Sequence, residues 1–247
     1  MLILHTASLN KYGLNRIFEL TKEAGFDGIE IGVAKNNFDT QNAEYIKELM
    51  DEYKIPVLAL HAPKDSTPKS IEHVVRMAEY LNCNTILITP PTLFNFSFTR
   101  WLKKEVPKLR RKKSKMQIAL INAPGKTILG FLPKHALNNI SDLKKFGMVC
   151  LDTSAMHSKK WDLMRIYNHL KKLVVHVHLS NVCHHKEYAL PNEGILPIES
   201  FLKKLKFNKY KGDISLLVRP KELSAGEDEE VVRKLKTVKL FVEDYLK

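Results

Sequence analysis

The chain has 247 residues, a net charge of +13 and 44% hydrophobic residues. That hydrophobic share is ordinary for a globular protein, and no apolar run reaches the length of about 18 residues that a membrane span needs. The N-terminal segment MLILHTASLN lacks a basic region, so it is not expected to act as a signal peptide. Cys83, Cys150 and Cys183 are odd in number and widely spaced, which argues against a disulfide framework and predicts a cytoplasmic protein.

Short apolar runs recur along the whole chain, and each is followed by a segment with helical periodicity. The predicted strands are 2–5, 28–31, 56–60, 85–89, 117–121, 148–152, 174–178 and 214–218. The predicted helices are 14–24, 42–53, 69–81, 98–113, 135–146, 160–171, 198–205 and 228–246. Continuous apolar strands that alternate with helices indicate a parallel sheet. Eight such units predict an α/β fold, a single (β/α)8 TIM barrel over residues 1–247.

Polar side chains lie at the predicted carboxyl ends of the strands, where barrels of this kind carry their active sites. His5, Glu30, His61, Asp152 and His178 all occupy such ends. Burying these groups without partners is costly, so we expect them to share water, a metal or a ligand. In the run 176–178 (HVH), both imidazoles point to the same side of the strand. His5 and the first of these histidines are also explained simply as hydrogen-bonded core residues.

Several phrases of the chain resemble the xylose isomerase-like family of sugar isomerases, epimerases and AP endonucleases. They are 25–31 (GFDGIEI), 60–63 (LHAP), 151–154 (LDTS), 176–181 (HVHLSN), 190–197 (LPNEGILP) and 210–220. The resemblance implies a metal site formed by a glutamate on strand five, an aspartate on strand six, a histidine on strand seven and a glutamate on strand eight. Asp152 and His178 match the middle two positions, whereas Ile121 and Leu217 stand where the two glutamates are expected.

The resemblance and the strand-end residues together define a candidate site. Its catalytic residues are predicted to be Glu30, His61, Asp152 and His178. Its substrate-binding residues are predicted to be His5, Arg219 and His185, and its partial metal set is Asp152 with His178. A divalent ion such as Mn²⁺, Zn²⁺ or Mg²⁺ is an open expectation, because two aliphatic residues replace two ligands. His157, His184 and Glu187 are further candidates for replacement ligands.

The loss of the two glutamates leaves three functions open. The first is a sugar or sugar-phosphate isomerase or epimerase with an altered, even metal-free, site. The second is a non-catalytic relative that binds a small anion or a protein partner; Arg219 would suit a carboxylate or phosphate. The third is a DNA-binding or repair protein similar to the AP endonucleases. Only the net charge favours this one, because the basic run 103–115 is predicted to lie on the face opposite the active-site rim.

Overall fold

The computed structural model describes residues 1–246. Eight parallel strands form a closed barrel in which each strand pairs with the next one along the chain and the last pairs with the first. They are β1 (Leu2–His5), β2 (Gly28–Gly32), β3 (Val57–His61), β4 (Thr85–Ile88), β5 (Gln117–Ile121), β6 (Val149–Asp152), β7 (Val174–Leu179) and β8 (Asp213–Leu216). The predicted (β/α)8 TIM barrel is therefore confirmed.

Nine α-helices lie between and after these strands in the described part of the chain. They are α1 (Leu14–Glu23), α2 (Ala43–Tyr53), α3 (Pro68–Tyr80), α4 (Phe96–Lys112), α5 (Ile140–Phe146), α6 (Thr153–His157), α7 (Leu163–Leu170), α8 (Ile198–Phe207) and α9 (Asp228–Leu246). Several begin at a side-chain cap, since Asn42, Thr67, Asn139 and Asp162 each accept a hydrogen bond from a backbone N–H of the first turn. No helix within residues 1–246 is long and apolar enough to cross a membrane.

The structure differs from the sequence prediction at several boundaries. The helix predicted over 135–146 begins only at Ile140, because Asn139 caps it. The residues before it form a long loop after β5 that contains two short paired strands, Thr127–Ile128 and Leu132–Pro133. The helix predicted over 160–171 begins at Leu163, and the short helix α6 precedes it. Strand β8 ends at Leu216, so the predicted extension to residue 218 is wrong. A hairpin of strands 181–183 and 186–189 after β7 was absent from the prediction.

Two apolar layers hold the barrel together. The larger one fills the space between the strands and the helices and includes Phe18, Tyr167 and Phe201, which are almost fully buried. The smaller one lies inside the barrel and consists of Ile3, Ala59, Leu87, Ala119, Ile121 and Cys150. The strand registers align the ends of the strands above this inner layer, with His5 opposite Glu30 and Asp152 opposite His178. The barrel therefore gathers the polar residues of several strands in one place.

Candidate active site

Glu30 is the centre of a cluster of imidazoles at the carboxyl ends of the strands. Its side chain is fully buried, and its Oε1 lies 2.9 Å from Nε2 of His178 and 3.2 Å from Nε2 of His5. Its Oε2 lies 3.0 Å from Nε2 of His176, and Nδ1 of His61 is 3.8 Å from Oε1. Because a carboxylate accepts hydrogen bonds, the close imidazole nitrogens are donors. The carboxylate of Glu30 on β2 thus organises side chains from β1, β3 and β7.

The ring of His5 is fixed from two sides. Its Nδ1 accepts a hydrogen bond of 2.9 Å from the backbone N–H of Ala7, so in the neutral ring the proton lies on Nε2. A Cβ on Gly32 would come within 2.9 Å of Cε1 of His5, so glycine leaves the space that this ring occupies. His5 is therefore a donor to Glu30 and to Nδ1 of His61, which is 3.1 Å away.

His61 is the member of the cluster with the most access to solvent. Its side chain is 14% exposed, whereas those of Glu30, His176 and His178 are completely buried. Its Nε2 forms a hydrogen bond of 3.0 Å with Oγ1 of Thr89, the residue directly after β4. A small molecule at the open end of the barrel would therefore reach the cluster at His61 and Thr89.

The charges within the cluster are unevenly distributed. Burial alone would raise the pKa of Glu30, but His178, His5 and His176 outweigh it and hold that pKa well below its usual range. Burial lowers the pKa of His5 to about 4 and the pKa of His61 well below its usual range. Burial also works to lower the pKa of His178, but Cys150 and Glu30 more than offset it and raise that pKa well above its usual range. At neutral pH the carboxylate of Glu30 is therefore balanced by a proton on His178.

Asp152 lies on β6 next to His178 and has different partners. Its Oδ1 accepts a hydrogen bond of 2.9 Å from the N–H of Ala155 and so caps α6, while the hydroxyl of Tyr188 lies 3.2 Å from Oδ2. Burial raises the pKa of Asp152 to about 6. The carboxyl group is therefore half protonated near pH 6 and mostly ionised at neutral pH. A group with such a pKa suits general acid and base catalysis.

The two positions where the resemblance expects glutamates lie at the carboxyl ends of β5 and β8, and β8 pairs with β1 and β7 of the cluster. Ile121 is buried in the inner apolar layer, and Leu217 is half-buried just beyond β8. Arg219 follows on the same rim, with its guanidinium 2.6 Å from Oε1 of Glu222 and its backbone N–H donating to the carbonyl of Tyr188. This arrangement gives Arg219 a carboxylate partner of its own.

The loop histidines lie apart from Glu30. His184 and His185 are exposed at the tip of the 181–189 hairpin, where both have a positive φ. His157 is half-buried at the end of α6. Glu187 lies on the second strand of the hairpin and is half-buried.

Two residues of the site, His176 and Tyr188, are not among the site residues predicted from the sequence. His176 contacts Glu30 directly, and its spacing from His178 was the signal that placed both rings on one side of β7. Tyr188 comes from the hairpin, which has no typical turn dipeptide, and only the folded chain brings it to Asp152. No local pattern in the sequence therefore predicts that Tyr188 belongs to the site.

The donor atoms of the cluster have the chemistry that a divalent transition metal prefers. One ligand atom each of His5, Glu30, His61 and His178 lie within 4.8 Å of one another. Imidazole and carboxylate donors suit Zn²⁺. His5 fits least well, because the N–H of Ala7 occupies its Nδ1 and keeps the proton on the nitrogen that faces Glu30. The remaining set is Glu30, His61 and His178; a metal there would displace the proton that His178 holds, and Asp152 is not part of the set.

Comparison with known proteins agrees with the fold. The family model described as "Xylose isomerase-like TIM barrel" matches residues 18–235. An uncharacterized protein of Mycobacterium leprae is 29% identical over 116 residues, which are 43% of this chain and 41% of that protein. An uncharacterized protein of Mycobacterium tuberculosis is 30% identical over 97 residues, or 36% of this chain and 34% of that protein. The match therefore spans less than half the length of these relatives.

Solved structures share the architecture at low sequence identity. A D-tagatose 3-epimerase-like protein superposes with a TM-score of 0.70 at 17% identity, covering 99% of this chain and 96% of that one. An AP endonuclease, family 2, from Brucella melitensis has a TM-score of 0.72 at 16% identity, with 89% and 93% covered. The IOLI protein, whose structure holds a zinc atom, has a TM-score of 0.72 at 15% identity, with 99% and 98% covered. At such identities these likenesses show the fold, and the family match shows that the chain belongs to the xylose isomerase-like TIM barrel family.

Proposed function

We propose that the chain is an isomerase or epimerase that acts on a small carbohydrate, with a site displaced towards β1, β2, β3 and β7. The observation that carries the proposal is the convergence of His5, His61 and His178 on the buried carboxylate of Glu30. A charged group buried at the rim of a barrel together with strongly shifted pKa values is typical of a functional site. The epimerases among the structural neighbours support this class of reaction.

In the proposed site, Glu30, His61 and His178 would hold a divalent ion. Three protein ligands with an open fourth position are the usual arrangement of catalytic zinc sites. When bound, such an ion would polarise a carbonyl or hydroxyl oxygen of the substrate. The zinc atom in the IOLI structure is consistent with an ion in a barrel of this family.

The protein's own groups orient this set. His5 donates to Oε1 of Glu30 and His176 donates to Oε2, so the carboxylate is held on both sides. Thr89 contacts Nε2 of His61, and Nδ1 of the same ring lies 3.1 Å from Nε2 of His5 and 3.8 Å from Oε1 of Glu30. Such partners of the ligands fix ring orientation and charge in metal sites generally.

Asp152 is the proposed proton carrier. Its pKa of about 6 lets it take a proton from a carbon next to a carbonyl and return it to the neighbouring carbon, which completes an isomerisation. The hydroxyl of Tyr188 donates a hydrogen bond to Oδ2 of Asp152, the oxygen that would exchange the proton. His178 lies opposite Asp152 on the neighbouring strand and connects it to the Glu30 cluster. We also propose that Arg219, on the same rim, exchanges its contact with Glu222 for a negatively charged part of a substrate.

Proton exchange in heavy water tests this function. The protein is loaded with Zn²⁺ or Mn²⁺ and incubated with aldoses, ketoses and their phosphates, and NMR follows the incorporation of deuterium next to the carbonyl. We expect exchange with at least one sugar, a loss of at least 100-fold in Asp152→Asn with the ion retained, and no change in the exposed control Glu193→Gln.

Two results would argue against the proposal. Exchange in Asp152→Asn at the wild-type rate would show that Asp152 does not carry the proton. Thermal stabilisation by a sugar without exchange in any of the samples would instead favour the non-catalytic binding protein.

A further inference from the structure

A concave region of the surface shares no residue with the Glu30 cluster. It is a groove of about 460 Å³ between the first turns of α4 and the loop after β5, which spans residues 124–139. Its size lies within the range of roughly 300–1,000 Å³ that small-molecule sites occupy. We call it the α4 groove.

Positive charge predominates in the α4 groove. Lys103, Lys126 and Lys159 line it, and Asp142 is the one carboxylate among its lining residues. Within residues 1–246, none of these lysines has a carboxylate oxygen within 4 Å. Asp142 accepts a hydrogen bond of 2.6 Å from Nδ2 of Asn139. The groove therefore offers cations whose charge the described protein does not balance.

Lys159 is the most enclosed of these cations. Its Nζ donates to the backbone carbonyl of Asn138 and lies 3.9 Å from the centre of the Trp161 ring. Burial lowers its pKa to about 7. A negative group in contact with Nζ would offset that burial, so an anion and the protonated lysine would stabilise each other.

The wall of the groove is fixed by a close approach of two loops. A Cβ on Gly125 would lie 2.7 Å from the carbonyl oxygen of Ser158 and 2.9 Å from Cγ of Lys159. The N–H of Gly125 also donates to Oγ of Ser158 at 2.9 Å. Glycine at this position therefore allows the loop after β5 to pack against the loop that carries Lys159.

Exposed aromatic side chains stand at the same groove. Phe96 and Phe131 line it, and they are 67% and 74% exposed. Phe94 and Leu129 nearby are exposed by 60% and 79%. Large apolar side chains that are clustered and exposed mark binding surfaces more often than scattered ones do.

We infer that the α4 groove binds a small organic phosphate, with the phosphate group on Lys159 and an apolar or aromatic portion against Phe96 and Phe131. Lys103 and Lys126 supply the further positive charge that a phosphate dianion needs. The inference is independent of the carbohydrate chemistry proposed for the Glu30 cluster.

Calorimetric titration with phenyl phosphate tests the inference, with inorganic phosphate and phenol as the two partial ligands. We expect saturable binding of phenyl phosphate that Lys159→Gln weakens at least tenfold. Lys160→Gln removes the same charge from the exposed neighbouring residue and should change the affinity less than twofold. Phe131→Ser should weaken phenyl phosphate severalfold and leave inorganic phosphate unaffected.

Three outcomes would overturn it: no saturable binding of phenyl phosphate, equal losses in Lys159→Gln and Lys160→Gln, or equal affinity for inorganic phosphate. Equal losses would mean that net charge alone attracts the ligand, as it would attract a nucleic acid. Protein stripped of metal with a chelator should bind phenyl phosphate as before. Failure of the metal site would therefore leave this result intact.

Discussion

At the scale of single residues, Glu30 has the largest electrostatic role in the structure. Its buried carboxylate contacts His5, His176 and His178 at hydrogen-bond distance, and no water-exposed edge screens these contacts. A buried charge that loses its partners destabilises a protein far more than an exposed ion pair does. The same residue is therefore expected to govern both the stability of the barrel and its proposed metal site.

Replacing Glu30 by glutamine should lower the free energy of unfolding by about 3 kcal/mol. The amide keeps one acceptor, but it removes the negative charge that balances the proton on His178. Urea denaturation in the presence of a chelator measures the change without any contribution from bound metal. Glu193→Gln, at an exposed position, is the control, and a value for Glu30→Gln equal to that of the control would contradict this account.

Lys159 gives a prediction on pH dependence. Its pKa is about 7 in the folded protein against an ordinary value of 10.5, so the unfolded chain binds the proton more tightly. The cost of burying the charged amine is present below pH 7 and disappears as the pH rises towards 10.5. The stability of the wild type relative to Lys159→Met should therefore increase between pH 7 and pH 10.

Urea unfolding at several pH values measures that difference. The control is Lys160→Met at the exposed neighbouring position, and the pH dependence should be confined to Lys159→Met. A difference that stays constant, or that decreases with pH, would show that Lys159 remains fully charged in the fold.

At the scale of helices and strands, one residue of the basic run 103–115, Arg110, has a structural role. Arg110 of α4 donates to the carbonyl of Phe146 at 2.6 Å and to the carbonyl of Ile118, and its guanidinium lies 4.6 Å from the centre of the Phe146 ring. It therefore joins α4 to β5 and to the end of α5. Its neighbours Arg111 and Lys112 are exposed.

Replacing Arg110 by methionine should lower the free energy of unfolding by about 2 kcal/mol, because two carbonyls lose their donor. Arg111→Met removes the same charge at an exposed position and should have little effect. Urea denaturation of both variants measures the two values. Equal values would mean that Arg110 contributes no more than a surface charge.

The elements show why the fold was predictable and the site only in part. Continuous apolar runs such as 117–121 indicate buried parallel strands whatever lies around them. The start of the helix at Ile140 depends on a local cap, and the apolar Ala136 and Leu137 before it imitate helical periodicity. The contacts of Glu30 join β2 to β7 across the barrel, and no local pattern specifies such a pairing.

The partners of Asp152 illustrate the same limit. Asp152 was predicted to be a metal ligand because the segment 151–154 resembles a family motif, and its position at the end of a strand was also predicted. Whether its carboxylate faces a metal or caps a helix depends on α6 and Tyr188, which only the folded chain brings to it. Its assignment as a metal ligand remains a sequence prediction.

At the scale of the whole molecule, closure of the barrel concentrates polar groups while the surface carries the net charge of +13. The proposed ion is held by Glu30, His61 and His178, whereas the family resemblance expects ligands at Ile121 and Leu217. Glu30 belongs to this proposed metal set and Asp152 does not.

The most direct test is the metal content of the wild type, Glu30→Gln and Asp152→Asn after exposure to Zn²⁺ and extensive dialysis. Asn keeps the size of Asp152 and its cap on α6, so a comparison with Glu30→Gln isolates the ligand set. We expect about one equivalent of zinc in the wild type and in Asp152→Asn, and almost none in Glu30→Gln. No bound zinc in the wild type, or zinc lost from Asp152→Asn and kept by Glu30→Gln, would contradict this expectation.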